Sequence, residues 1–451
     1  MGLRTGIIAG TALMSAIQVA NATSITDVIT DNMVRNPEVA AALNARNAVR
    51  EEVREAMGGL YPDIDALLGW GREWTDDPST RAAEEPFGGD GDVDLWRSEA
   101  TLSFRQMLFD GLGTQSEVAR QEARLRSADA RVREAAERFA LDATRHYLDV
   151  VRRQELLRLA KLTLENHVTI YDQIRRRSES GLGSLASIQQ AESRLALAEV
   201  NVLAAENNLR DARANYIRVV GAEPPTDYEV PMDLVMPASF EAAREAAATT
   251  QPTLQVAEAD IEAAQAQYDA AYSRLYPTLH FEAERTWYHD IDGIEGQNED
   301  LTAMLRLRYN IFNGGTDKAR IRRTQHQIHE AEEIRNSADR QVEQSLGLSW
   351  NAYEILGQQV GFLETYVSTA EQTRDSYKKQ FDIGQRSLLD LLDTENEVFS
   401  AQNSLTDTSF DYLLSQYRVY NGMGQLLEAL EIQPPADVVV NESAEMAEAG
   451  Q

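Results

Sequence analysis

The chain of 451 residues carries a formal charge of −30, is only 7% aromatic and contains no cysteine. So acidic a balance excludes phosphate-backbone recognition, which needs a basic face, and no nucleic-acid partner is expected. The missing cysteines exclude disulfides, thiolate metal centres, cysteine nucleophiles and a lipid anchor on an N-terminal cysteine.

In chain order, Arg4, the apolar run Ile7 to Ala20 and the small-x-small end Ala20-Asn21-Ala22 have the build of a secretory signal peptide. Residues 1–22 are expected to be removed, which leaves a mature charge of −31. No later run approaches the roughly 18 apolar residues of a spanning helix. Membrane contact would have to come from strands or from surface association.

From there the chain says the same thing twice. A helical pattern runs from Asn36-Pro37 to Leu60-Tyr61-Pro62, and another from Gln251-Pro252 to Leu275-Tyr276-Pro277; each pair of prolines is 25 residues apart. Phe109-Asp110-Gly111 is matched by Phe312-Asn313-Gly314, and the distance from each phenylalanine to Gly181 or Gly384 is 72 residues. From those glycines to Gly221 and Gly424 it is 40 residues in both halves. The organisation expected is a first repeat over 23–221, an equatorial linker over 222–250, a second repeat over 251–430 and a disordered acidic tail over 431–451.

Each half switches twice from a helical to an alternating period. Ile64, Ala66, Leu68, Trp70 and Trp74 take the even positions of one segment; Ala100, Leu102, Phe104 and Leu108 alternate with Arg97, Glu99, Thr101, Ser103 and Arg105 in the next. Leu279, Phe281, Ala283 and Trp287 oppose His280, Glu282 and Glu284, and Ala303, Leu305, Leu307, Tyr309 and Ile311 oppose Arg306, Arg308 and Asn310. Alternation over about ten residues, with charges on one face, suits a barrel strand between lipid and water. A soluble sheet with one wet face has the same pattern. The export signal and the tryptophans (70, 74, 96 and 287) near the segment ends favour the membrane. The acidic stretches 76–93 and 290–300 are expected as external loops.

Residues 113–178 and 316–381 are long helical patterns without proline, each about 100 Å at the usual rise. Their return paths, 184–219 and 386–421, are shorter and can be continued by 252–274 and 36–59. Gly181 and Gly384 are expected at the tips of the two hairpins, where glycine leaves a helix through a left-handed turn. Beyond the second tip, Asp390 and Asp393 share a helix face, and two carboxylates beside leucines are costly unless that face meets water. Four strands cannot close a barrel, so several copies of the chain must assemble.

With these features in place, the chain resembles the TolC family of outer-membrane export channels over residues 23–430. The most specific piece is Gly384-Gln385-Arg386-Ser387-Leu-Leu-Asp390-Leu-Leu-Asp393, with Gly181-Leu182-Gly183-Ser184-Leu-Ala186-Ser187 as its first-half counterpart. The resemblance implies a mainly α fold with a membrane β-barrel portion: a homotrimer in which a twelve-strand barrel is continued by a trimeric α-helical barrel across the periplasm. It implies that Asp390 and Asp393 form acidic rings at the periplasmic mouth. It implies also that Gly181, Leu182, Gly183, Gly384, Gln385 and Arg386 dock a periplasmic adaptor, a membrane fusion protein. Arg386 fits the family's locking arginine, but its aspartate and tyrosine partners are replaced by Ser187 and Phe381. A mouth that opens more easily, with high resting conductance, is the expectation.

The runs Tyr147 to Leu156 and Leu305 to Gly315 look most like the branch serving type I secretion of adhesins, with an inner-membrane ABC transporter as motor. A multidrug efflux channel with a proton-driven pump is the near alternative, and a periplasmic coiled-coil structural protein the distant one. His326 and His329 share a helix face but lack an organised third ligand, so no metal is expected. No nucleophile elbow or phosphate loop is present. No enzyme and no cofactor are expected.

Overall fold

The computed structural model describes residues 23–84, 92–180, 184–229, 231 and 233–435. The expected signal peptide, the tip residues Gly181, Leu182 and Gly183, and 436–451 of the acidic tail lie outside the described residues. The chain forms two compact units, one of residues 33–142, 234–365 and 411 onward, the other of residues up to 32, 143–233 and 366–410.

The first unit holds one antiparallel sheet, β1 (Asp63–Asp76), β2 (Asp92–Phe109), β3 (Thr278–Ile291) and β4 (Ile294–Arg308), in the order β1-β2-β3-β4. Among the described residues, the outer edges of β1 and β4 are both unpaired. Alternation puts one face in each register row: Ala66 lies opposite Leu102, Ala100 opposite Trp287, and Phe281 opposite Leu305. On that face Leu68, Trp70, Trp74, Leu301 and Leu305 are largely exposed, and Trp70 stacks on Trp96 at 4.9 Å. The other face is laced by charge: Arg97 bonds Glu73 and Glu99 at 2.6 Å each, and Arg306 bonds Glu282 at 2.6 Å.

The expected loop over 290–300 is instead strand on either side of a tight turn, with Ile291 paired to Ile294. Asp292 and Gly293 both have positive φ, 56° and 75°, as a two-residue mirror-image turn requires. The Asp-Gly pair that permits this was present in the sequence and outweighed by the local acidity. The other expected loop, 76–93, contains the end of β1, a short helix α3 (Pro78–Glu84) and the start of β2, with 85–91 outside the described residues. β4 ends at Arg308, so Tyr309 and Ile311 fall beyond it.

The helices repeat the duplication in their lengths. α2 (Pro37–Gly58) and α7 (Pro252–Ser273) have 22 residues each; α4 (Gly113–Glu179) and α8 (Thr316–Asp382) have 67 each; α5 (Leu185–Val220) and α9 (Leu388–Met423) have 36 each. α2 and α7 both start on proline at a position where its missing N–H has no helical partner to lose. Ion pairs fasten them to α4: Arg124 to Glu52 at 2.5 Å from one side, Arg126 to Glu262 at 2.6 Å from the other. The expected linker contains a helix of its own, α6 (Phe240–Thr250), whose Ala243 and Ala247 pack with Leu346, Trp350, Val419 and Met423.

In the second unit, α1 (Ile25–Met33) precedes the first repeat's proline-started helix. The Tyr147 hydroxyl lies 2.9 Å from the Thr23 carbonyl and 2.7 Å from that of Glu229, fixing the start of the described chain against α4. An apolar cluster of Ile170, Ile174, Ala191, Phe381, Leu388, Leu391 and Leu392 joins the ends of both hairpins.

Candidate functional site: the ends of the helical hairpins

α8 stops in a Schellman turn: Gly384 N–H donates to Phe381 O at 3.0 Å and Gln385 N–H to Gln380 O at 2.8 Å. Gly384 has φ +78°, where a Cβ would be strained. The chain restarts at once, because Ser387 and Asp390 cap the first turn of α9 reciprocally. The Asp390 N–H donates to Ser387 Oγ at 3.2 Å, and the Ser387 N–H to Asp390 Oδ2 at 3.4 Å. Asp390 thus holds its own helix start, where a negative charge also favours the macrodipole.

Asp390 and Asp393 are partly solvated, with side chains 40% and 57% exposed. Asp393 accepts a hydrogen bond from Arg194 on α5 at 2.9 Å, a contact between the two hairpins. Phe381, expected at the constriction, is only 5% exposed and lies in the apolar cluster. Its ring lacks the phenolic hydroxyl of a tyrosine and offers no such hydrogen bond; Arg177 of α4 covers it at 4.6 Å while donating to the carbonyls of Phe381 and Asp382 at 3.4 and 3.2 Å. Ser187 stays within its own turn, its hydroxyl 2.9 Å from that of Ser184.

Arg386 is held by its own hairpin: its guanidinium lies 4.0 Å from the Tyr377 ring centre, 3.0 Å from Gln380 Oε1 and 3.7 Å from Asp390. Near the tips, Arg177 and Arg194 cross between the hairpins, and farther along Arg152 of α4 pairs with Asp407 of α9 at 3.8 Å; sequence reasoning passed over all three. A signal was available for Arg194. It lies two helical turns beyond Ser187, on the face from which the family's aspartate is missing.

Behind this layer the site is buried and polar. Asn166 donates to Glu395 at 3.3 Å, and burial pushes the Glu395 carboxyl above its ordinary range against the pull of Arg374. His167 is buried nearby; burial, with Arg194 adding to it, holds the imidazole below its ordinary pKa.

A profile of the outer membrane efflux protein family matches residues 28–222 and 243–425. The chain belongs to that family. It is 24% identical over 430 residues to the outer membrane efflux protein BepC of Brucella suis, spanning 93% of this chain and 90% of BepC. It is 22% identical to the outer membrane protein TolC of Escherichia coli over 450 residues, 94% of this chain and 86% of TolC. The alkaline protease secretion protein AprF of Pseudomonas aeruginosa is 23% identical over 405 residues, 87% of this chain and 83% of AprF. Among solved structures, the transmembrane channel CusC superposes with a TM-score of 0.77 at 14% identity, covering 89% of this chain and 92% of that one. The fold is therefore that of the outer-membrane channels, a helical-barrel portion with a β-barrel portion. The protein is a transport channel of the Gram-negative outer membrane reaching into the periplasm, and not an enzyme.

Proposed function

We propose that this channel is the exit duct of a tripartite type I secretion system, passing an exported polypeptide of the adhesin class from an inner-membrane ABC transporter through a periplasmic adaptor. The observation that carries the duct is the sheet: four strands, an apolar outward face and two unpaired edges in one chain. Such edges persist in lipid only when another copy covers them. With β4 of one copy beside β1 of the next, a homotrimer closes twelve strands, and no edge remains.

In that assembly Asp390 and Asp393 from each copy bring six carboxylates to the periplasmic mouth, where they attract cations. Arg386, Gln385 and Gly384, with Gly181, Leu182 and Gly183, dock the adaptor. The likeness to AprF supports secretion as the task. The likeness to BepC supports a second reading, drug efflux driven by a proton-powered pump. Deleting the gene separates them. Loss of a released or surface-displayed protein with unchanged drug tolerance upholds secretion. Sensitivity to dyes and antibiotics with normal protein release overturns it in favour of efflux.

A further inference from the structure

The chain is strongly acidic, with 73 acidic and 43 basic residues. Yet Lys318, Arg320, Arg322 and Arg323 crowd the first two turns of α8, and Arg274 caps the end of α7. Among the described residues none of the five is in an ion pair. Neither nearby acid bonds any of the five: Asp317, still charged, accepts from Asn313, and Glu117 is gripped by Arg120 at 2.5 and 2.9 Å. Cations at a helix N-terminus oppose the macrodipole, and like charges three or four residues apart repel. The arrangement is unfavourable unless something negative is added.

The geometry provides a place for it. Arg120, Arg274, Arg320, Arg323 and Thr324 line a cavity of about 320 Å³, together with Glu117, whose carboxylate Arg120 holds. Inside, the Arg320 Nε is buried without a hydrogen-bond partner. A guanidinium presents parallel donors that match phosphate oxygens, which makes an oxyanion the fitting occupant.

Position in the fold says which oxyanion. Arg274 stands four residues before β3 begins at Thr278, and α8 begins eight residues after β4 ends at Arg308. At the helical rise, Arg320 and Arg323 lie within about 10 Å of the start of α8. Exposed Tyr61, Phe109, Tyr276, Tyr309 and Phe312 gather at the same junction, opposite the tryptophan end of the sheet. Barrels carry an aromatic girdle at each membrane interface, so this is the level of the periplasmic-side headgroups. Basic clusters flanking membrane segments bind anionic headgroups there.

We propose that Arg274, Arg320 and Arg323 seat the phosphate of an anionic phospholipid from the periplasmic leaflet of the outer membrane, with Lys318 and Arg322 as flanking charges. The full mature chain, purified in detergent, would be titrated with dioleoylphosphatidylglycerol, and native mass spectrometry would count the lipid retained. Apparent affinity should fall at least tenfold in Arg320→Gln/Arg323→Gln, and less in Arg320→Lys/Arg323→Lys, which keeps the charge but not the fork. It should stay unchanged in Arg138→Gln, where the arginine lies elsewhere on α4. The lysine variant and heat-modifiable migration on gels distinguish a lost site from a lost fold. Equal retention by wild type and the glutamine variant overturns the proposal. So does competition by inorganic phosphate at equal concentration, which would mark a free-anion site. Collapse of the oligomer in the glutamine variant, with no lipid held by the wild type, overturns it too and assigns the arginines to acids of a neighbouring copy.

Discussion

Arg194 on α5 grips Asp393 on α9 at 2.9 Å, so one of the two carboxylates assigned to the mouth is also a fastening between the hairpins. Arg177 supplies a second fastening through the Phe381 ring and two carbonyls at the end of α8. Both guanidiniums come from the first hairpin and close on the second. These contacts replace part of what Ser187 and Phe381 cannot supply, so the wild-type resting conductance should be lower than those two substitutions alone imply.

Removing one fastening should loosen the mouth. The Arg194–Asp393 pair is partly exposed, with side chains 31% and 57% accessible, so its coupling is worth about 0.5 kcal/mol. Arg194→Gln should then raise the open population roughly twofold per copy, and about tenfold if three copies act together. Single-channel recording in planar bilayers measures this. Conductance equal to wild type in Arg194→Gln and Arg177→Gln alike would remove both residues from gating.

Charge at the mouth is separable from closure. In Asp390→Asn the amide oxygen can still accept from Ser387, so the first turn of α9 keeps its cap while losing its charge. Combined with Asp393→Asn, six charges leave the mouth of the proposed trimer, and block by a multivalent cation should weaken by about tenfold or more, as several screened ion contacts are lost. Unchanged block would mean that the carboxylates face away from the ion path.

The helical hairpins, the duplication and the four amphipathic strands were legible because each rests on a period or an interval that the backbone enforces. Gly384 was legible because a Schellman turn demands a left-handed residue. The site was less so. Arg386 and Tyr377 meet over a spacing that a helix permits but does not impose, and Arg194 finds Asp393 across 199 residues of sequence. The 290–300 segment shows the opposite failure: a two-residue turn signal, Asp292-Gly293, was hidden by acidic composition that only describes which face is wet.

That turn gives its own test. A Cβ on Gly293 would stand 2.6 Å from Thr80 Cγ2 with φ held at +75°. Gly293→Ala should destabilise the β3–β4 hairpin by roughly 1–2 kcal/mol. A lower midpoint for heat-modified migration on gels would report it; an unchanged midpoint would show that the turn relaxes freely.

The strongest pH dependence should come from Glu137. Its carboxyl accepts from the backbone N–H groups of Leu426 and Leu427 at 3.2 and 3.1 Å, fastening the short helix α10 (Leu426–Ala429) to α4. Burial pushes it up to about 7, against the pull of those amides, of Asn421 and of Arg133. Because the folded value lies above the ordinary 4.5, the folded state binds the proton more tightly. Its contribution is therefore complete below about pH 4.5 and is lost as the pH rises through 7, by roughly 3 kcal/mol at most. The segment after Met423 should be clipped by protease more readily at pH 8 than at pH 5, after correction for protease activity. Glu137→Gln keeps an acceptor for one amide and carries no charge, so its clipping should vary little with pH. The same pH response in both proteins would place the sensitivity elsewhere.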